Sequence, residues 1–186
     1  MIFFNLRFNI PHNTLTFVQS KTILTNPKEI LLRAKAAKNQ IKQQCKQLSK
    51  INPRQLDTLF HTAHTDIFEN FDCLQCANCC ITTGPMLSYR DIERAASALR
   101  IRPSEFIEKY VKIDEDGDQV MNTLPCPFLG KDNLCSIYDA RPKACREYPH
   151  TDRSNMYQIL ELSQKNAGVC PAVFLILEKI AANLKK

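Results

Sequence analysis

The stretch Cys73-Leu74-Gln75-Cys76-Ala77-Asn78-Cys79-Cys80 puts four thiols within eight residues. No other feature of the chain so narrows what it can fold into. A C-x2-C step brings two sulfurs to one side of a tight turn, where a single metal ion takes both. Thiolates are the ligands preferred by zinc and by iron–sulfur clusters. Four more cysteines follow at Cys126, Cys135, Cys145 and Cys170, with Cys45 as an outlier. The expected fold brings the distant thiols together, so the metal ligands assigned are Cys73, Cys76, Cys79, Cys80, Cys126, Cys135, Cys145 and Cys170. Side chains of adjacent residues diverge in both extended and helical backbone. Cys80 therefore either serves a second site beside Cys79 or is a buried structural thiol.

A chain of 186 residues is long enough to bury an ordinary core. It contains no run of 18 apolar residues, so no membrane span is expected. The first 20 residues lack an apolar secretion core, which points to a cytoplasmic location. Thiols stay reduced there, so many cysteines indicate metal or redox chemistry rather than disulfides. The formal charge of +6 is uneven, with nine Lys or Arg against Glu29 alone over residues 21–54. That segment has no aromatic or Gly-rich accompaniment, so its lysines read as a solvated face and not a nucleic-acid surface. No Ser-His-Asp arrangement, P-loop or G-x-G-x-x-G pattern is present.

Residues 1–26 alternate apolar positions at Phe4, Leu6, Phe8 and Ile10 and read as a peripheral hairpin or a disordered extension. Asn26-Pro27 opens a basic amphipathic helix over 27–51, with Ile30, Ala34, Ala37, Ile41, Cys45 and Leu48 on one stripe. Cys45 in that stripe reads as packing. Residues 52–186 read as the cysteine-cluster domain. Asn52-Pro53 starts its first helix, whose inner face is Leu56, Leu59, Phe60, Ala63, Ile67 and Phe71. His61 and His64, three apart, read as an ordinary half-exposed pair. Ser88 and Asp91 form a cap, and Pro103 opens another helix. Asp116-Gly117 turns a hairpin between Val111–Asp114 and Gln119–Asn122. Asp114, Asp116 and Asp118 imitate a calcium loop, but Gln119 and Pro125 stand where it needs Gly and Glu. A second small hairpin turns at Gly130 to Asn133, with Cys126 and Cys135 on its arms. Met156 to Lys165 reads as a helix with Met156, Ile159, Leu160 and Leu162 inward. Cys170-Pro171 opens the last helix, whose dipole favours the thiolate. The fold class is mainly α with one or two short β-hairpins, a small helical domain organised around a cysteine metal cluster.

The run Cys73 to Cys80, then Cys126-Pro-Phe-Leu, Cys135-Ser-Ile-Tyr, Arg141-Pro-x-x-Cys145-Arg-x-Tyr-Pro and Cys170-Pro, resembles the CxxCxxCC cysteine-cluster family, which includes bacterial proteins. The resemblance spans about residues 50 to 182 and implies a zinc- or iron-chelating domain. It also implies distant similarity to flagellin lysine N-methylase, linked to S-adenosylmethionine and an iron–sulfur cluster. Two functions follow as expectations. One is a metal-binding protein whose partner is zinc or iron, as a bare ion or as an iron–sulfur cluster. The other is an iron–sulfur-dependent methyl-transfer or redox enzyme, with Arg141, Arg146 and Tyr148 as cofactor-binding residues beside the cluster. In the first reading the same arginines donate to thiolates and carbonyls, and the tyrosine packs on its turn.

Overall fold

The computed structural model describes residues 26–184, so all but the last residue of the expected 1–26 extension lies outside the described residues. Four helices open on proline at the first helical position, two of them after a capping Asn. The Asn26 side chain accepts from Lys28 N–H at 3.0 Å to start α1 (Pro27–Ala36), and Asn52 does the same for Arg54 at the head of α3 (Pro53–Phe68). Between them lies α2 (Lys38–Leu48). The single helix expected over 27–51 is thus two, interrupted at Ala37, whose ψ of 9° departs from the helical value. The axis nearly continues, because Ala37 N–H reaches Arg33 O and its own carbonyl accepts from Ile41 N–H.

The expected stripe is the buried one. Ile30, Ala34, Ile41, Cys45 and Leu48 pack with Leu56, Phe60 and Ala63 of α3 and with α9 (Pro171–Asn183) in one core. Lys35, Lys38, Lys42 and Lys46 are exposed. Helix α8 (Leu160–Asn166) completes this core, and a 3-10 turn over Met156–Ile159 precedes it. That turn corrects the inward set: Leu162 is 41 % exposed, while Ser163 is buried. Three residues per turn before Leu160 shift the phase, so 160, 163 and 167 face inward instead of 162.

A second core joins α5 (Tyr89–Leu99) and α6 (Pro103–Tyr110) to a two-stranded antiparallel sheet. Strands β1 (Val111–Ile113) and β2 (Gln119–Met121) pair with Val111 opposite Met121 and Ile113 opposite Gln119. Gly117, at φ 84°, makes the turn. The Asp114 carboxylate accepts from the N–H groups of Asp116 and Asp118, so this acid serves the turn. The second hairpin is a loop with one antiparallel bridge, Leu129 to Cys135, because Pro125 and Pro127 cannot donate to a ladder. Its aromatic anchor is Phe128, with ring centroids 5.9 Å from Phe106 and 4.9 Å from Tyr110.

Cys45 is 5 % exposed among Ile and Leu side chains. Burial pushes its thiol up to about 11. Replacing it with Ala should cost about 1 kcal/mol in urea unfolding. A cost above about 3 kcal/mol, beyond what a lost sulfur contact supplies, would refute a pure packing role.

Candidate metal centre

The cysteine loop lies between the two cores. Asp72 accepts from Leu74 N–H at 2.9 Å and starts a 3-10 turn over Cys73–Gln75. The N–H groups of Cys76 and Ala77 both return to the Cys73 carbonyl. Ala77 then takes the left-handed conformation at φ 46°, which costs a residue with a β-carbon ~1–2 kcal/mol. That reversal lets Asn78 open the short helix α4 (Asn78–Thr82), which carries Cys79 and Cys80.

Two bonds fix the ends of this loop. The Asn78 side-chain amide donates to Val169 O at 2.7 Å, one residue before Cys170. Cys126 N–H donates to Cys80 O at 2.8 Å. Cys145 sits on α7 (Lys143–Glu147), and Cys170 is the cap residue of α9. Sequence spacing could show that the thiols were numerous. The tethers from Asn78 and Cys126 depend on the tertiary fold and left no sequence signal.

Four of the sulfurs accept an N–H from the residue two positions ahead: Asn78 to Cys76, Phe128 to Cys126, Ile137 to Cys135 and Ala172 to Cys170. Leu129 and Val173 add further donors to Cys126 and Cys170. These bonds favour thiolate, but burial is the larger effect at each. Burial pushes the thiols of Cys73, Cys76, Cys126 and Cys135 up, and takes those of Cys145 and Cys170 up to about 12. Cys80 is raised chiefly by its hydrogen bond with Cys79 and then by burial. At Cys170 the N–H groups at the head of α9 favour the thiolate, as expected, while the loss of water around the sulfur raises the thiol by more than they lower it. Neighbouring thiolates raise one another, so ionising the group needs a countercharge from a cation.

Tyr148 supplies the clearest test of fit. Its hydroxyl is buried and has no hydrogen-bond partner among the described residues. Burial is the main reason its phenol is raised, followed by the charges of Cys170, Cys79, Cys76 and Cys73. A buried donor without a partner costs ~1–3 kcal/mol. A metal-bound thiolate beside it would accept a hydrogen bond from the hydroxyl, so the residues present suit a cation held by sulfur. All nine cysteines are free thiols. Among the described residues, no three His, Cys, Asp or Glu side chains already converge on one coordination point.

Arg146 and Tyr148 border a cleft of about 490 Å³ with His64, His150 and Arg153. Arg141 is not among its lining residues. Its guanidinium stacks 3.6 Å from the Tyr138 ring centroid and offsets charge on Cys135 and Cys145. Arg146 donates to the Arg141 carbonyl at 2.7 Å. His61 donates to Arg153 O at 3.0 Å, and His64 lies 2.8 Å from the Thr151 hydroxyl.

Asp91 does more than the cap visible in the sequence. The capping box with Ser88 is formed, and the same carboxylate also accepts from Arg94 at 2.6 Å and from Lys143 N–H at 2.9 Å. It thereby holds the start of the helix that carries Cys145. Burial would raise its pKa, but the Ser88 hydroxyl, the Lys143 and Ser88 amides and Arg94 together lower it to about 2. A carboxyl depressed on folding stabilises above its unfolded pKa of ~4 and loses that contribution as pH falls through the folded value. Stability should decline between about pH 4 and pH 2 on this account, and Asp91→Asn should cost about 2 kcal/mol at neutral pH. Thermal melts of both proteins across that range test this. An Asn variant as stable as the parent at pH 7 would contradict it.

The family model CxxCxxCC, described as "Putative zinc- or iron-chelating domain", matches residues 72–171. No solved structure matches the chain. The matched stretch runs from the cap of the cysteine loop to the proline after Cys170 and covers more than half the chain. The chain belongs to the CxxCxxCC family of zinc- or iron-chelating domains.

Proposed function

We propose that the protein holds zinc or iron through Cys73, Cys76, Cys79, Cys80, Cys126, Cys135, Cys145 and Cys170, and that the ion joins the two halves of the fold. The observation that carries this reading is the pair of tethers, Asn78 to Val169 O beside Cys170 and Cys126 N–H to Cys80 O, that bring distant cysteines to the C-x2-C-x2-C-C loop. Backbone N–H groups two residues ahead also favour the thiolate at Cys76, Cys126, Cys135 and Cys170. A neutral thiol is a weak acceptor, whereas a thiolate forms charge-assisted hydrogen bonds. Such donors orient a ligand sulfur and spread its charge. The ion supplies the positive charge that lets buried thiols ionise, and family membership supports the same chemistry. Paired variants test it. Cys76→Ser, prepared anaerobically, should bind clearly less metal than the parent, because a hydroxyl replaces thiolate poorly for zinc or iron. Cys45→Ala should keep it. Full occupancy in Cys76→Ser with loss in Cys45→Ala would overturn the assignment.

One observation favours a second reading as an iron–sulfur-dependent enzyme. The cleft lined by Arg146 and Tyr148 is large enough for a small organic cofactor and borders the tyrosine that feels four of the thiols. S-adenosylmethionine is the cofactor this reading requires. Binding of that molecule, weakened by Arg146→Ala, would support it; absent binding to metal-loaded protein would remove it.

A further inference from the structure

We infer that the eight thiols form two separate four-sulfur metal sites divided between the adjacent residues Cys79 and Cys80. Cys73, Cys76, Cys79 and Cys170 hold one zinc or iron ion, and Cys80, Cys126, Cys135 and Cys145 hold the other. This rests on the reading of these thiols as metal ligands and adds their number of sites and their membership.

Two geometric observations sort the thiols the same way. The first is packing. Cys76, Cys170 and Tyr148 belong to the core built on α1, α2, α3, α8 and α9, whereas Cys126 and Cys135 pack against the core of α5, α6 and the hairpin. The second is tethering. Asn78, just before Cys79, is bonded to Val169, just before Cys170. Cys80 itself is bonded through its carbonyl to the Cys126 amide. The two tethers leave the loop on opposite sides of the Cys79–Cys80 peptide.

Electrostatic neighbourhoods agree. Cys145 is within reach of Cys80, Cys126 and Cys135, while Cys170 is within reach of Cys73 and Cys76. Tyr148 feels Cys170, Cys79, Cys76 and Cys73. Cys80 also acts on Cys73 and Cys76, as a residue at the boundary must, but Cys126, Cys135 and Cys145 all feel it. Each set has two sulfurs that accept backbone N–H groups and its own charge-relieving group. Tyr148 serves the first set, and Arg141 the second. A divalent ion with four thiolates carries a net charge of about −2, so each site needs such a donor. Ligation draws the sulfurs of each set inward, since they do not converge as they stand.

The test is zinc titration of the full chain under reducing, anaerobic conditions, with elemental analysis after desalting. The parent should bind two equivalents. Cys76→Ser/Cys170→Ser should bind one, Cys126→Ser/Cys145→Ser should bind one, and Cys76→Ser/Cys126→Ser should bind none. One equivalent in the parent, or none in a double variant confined to one set, would overturn the division while leaving metal binding intact. No zinc in the parent would overturn both. Should a cysteine variant fail to fold, Tyr148→Phe with cobalt as the probe decides the matter. A change confined to one of two cobalt equivalents supports two sites. An equal change in both, or a single equivalent, rejects them.

Discussion

Stripping metal from the purified protein with a strong chelator under reducing conditions should lower its melting temperature by more than about 10 °C. In a chain of this length ~1 kcal/mol moves the midpoint by roughly 2–4 °C, and structural zinc contributes apparent binding energies of ~10–16 kcal/mol in small domains. Even a fraction of that range gives the stated fall. The physical reason is the position of the cysteine loop. The hydrophobic side chains form two clusters, and the loop contacts both through Cys76 on one side and Cys126 on the other. Without a cation, seven thiols, six of them buried or partly buried, are pushed toward their neutral forms and cease to bind the halves together. Helical signal should survive in part, because each cluster keeps its own core. Thiols titratable with a disulfide reagent should rise as metal leaves. A melting curve unchanged after complete metal removal would mean that the cysteines do not stabilise the fold through metal.

Phe128→Ala should destabilise the protein by about 3–5 kcal/mol in urea unfolding. Phe128 is buried in the second core and touches both Phe106 and Tyr110. Each aromatic pair contributes ~0.5–1.5 kcal/mol beyond burial. The loss should reach the thiols. Phe128 N–H donates to the Cys126 sulfur, and its carbonyl accepts from Ser136 N–H at 2.8 Å beside Cys135. Freeing this loop should weaken metal retention in a competition with chelator, more than Phe60→Ala in the other core does. A cost below about 1 kcal/mol would show that the loop is held by something other than this aromatic cluster.

Much of the helical order was legible because its signals are local. Asn26-Pro27, Asn52-Pro53, Ser88 with Asp91, and Pro103 and Pro171 each mark a start through nearby backbone groups. The hairpin at Asp116-Gly117 was legible for the same reason, since glycine relieves the positive φ at its turn. The break at Ala37 was not, because alanine is a strong helix former and the stripe continues through it. Leu162 was misplaced because periodicity assumes one helix type, and a 3-10 turn precedes it. At the site, the C-x2-C spacing was visible, but the partners of Asn78, Asp91 and Tyr148 lie dozens of residues away or are groups they meet only in the fold. The thiol of Cys170 shows the same limit: its helix dipole is readable, and its burial is not.

The most direct measurement is elemental analysis of the whole protein purified anaerobically, with a visible spectrum and a count of reactive thiols in native and unfolded samples. The account predicts zinc or iron bound to the chain, native thiols protected from reagent, and their release together with the metal on unfolding. Folded protein that carries neither metal after reconstitution and leaves the thiols from Cys73 to Cys80 freely reactive would contradict it.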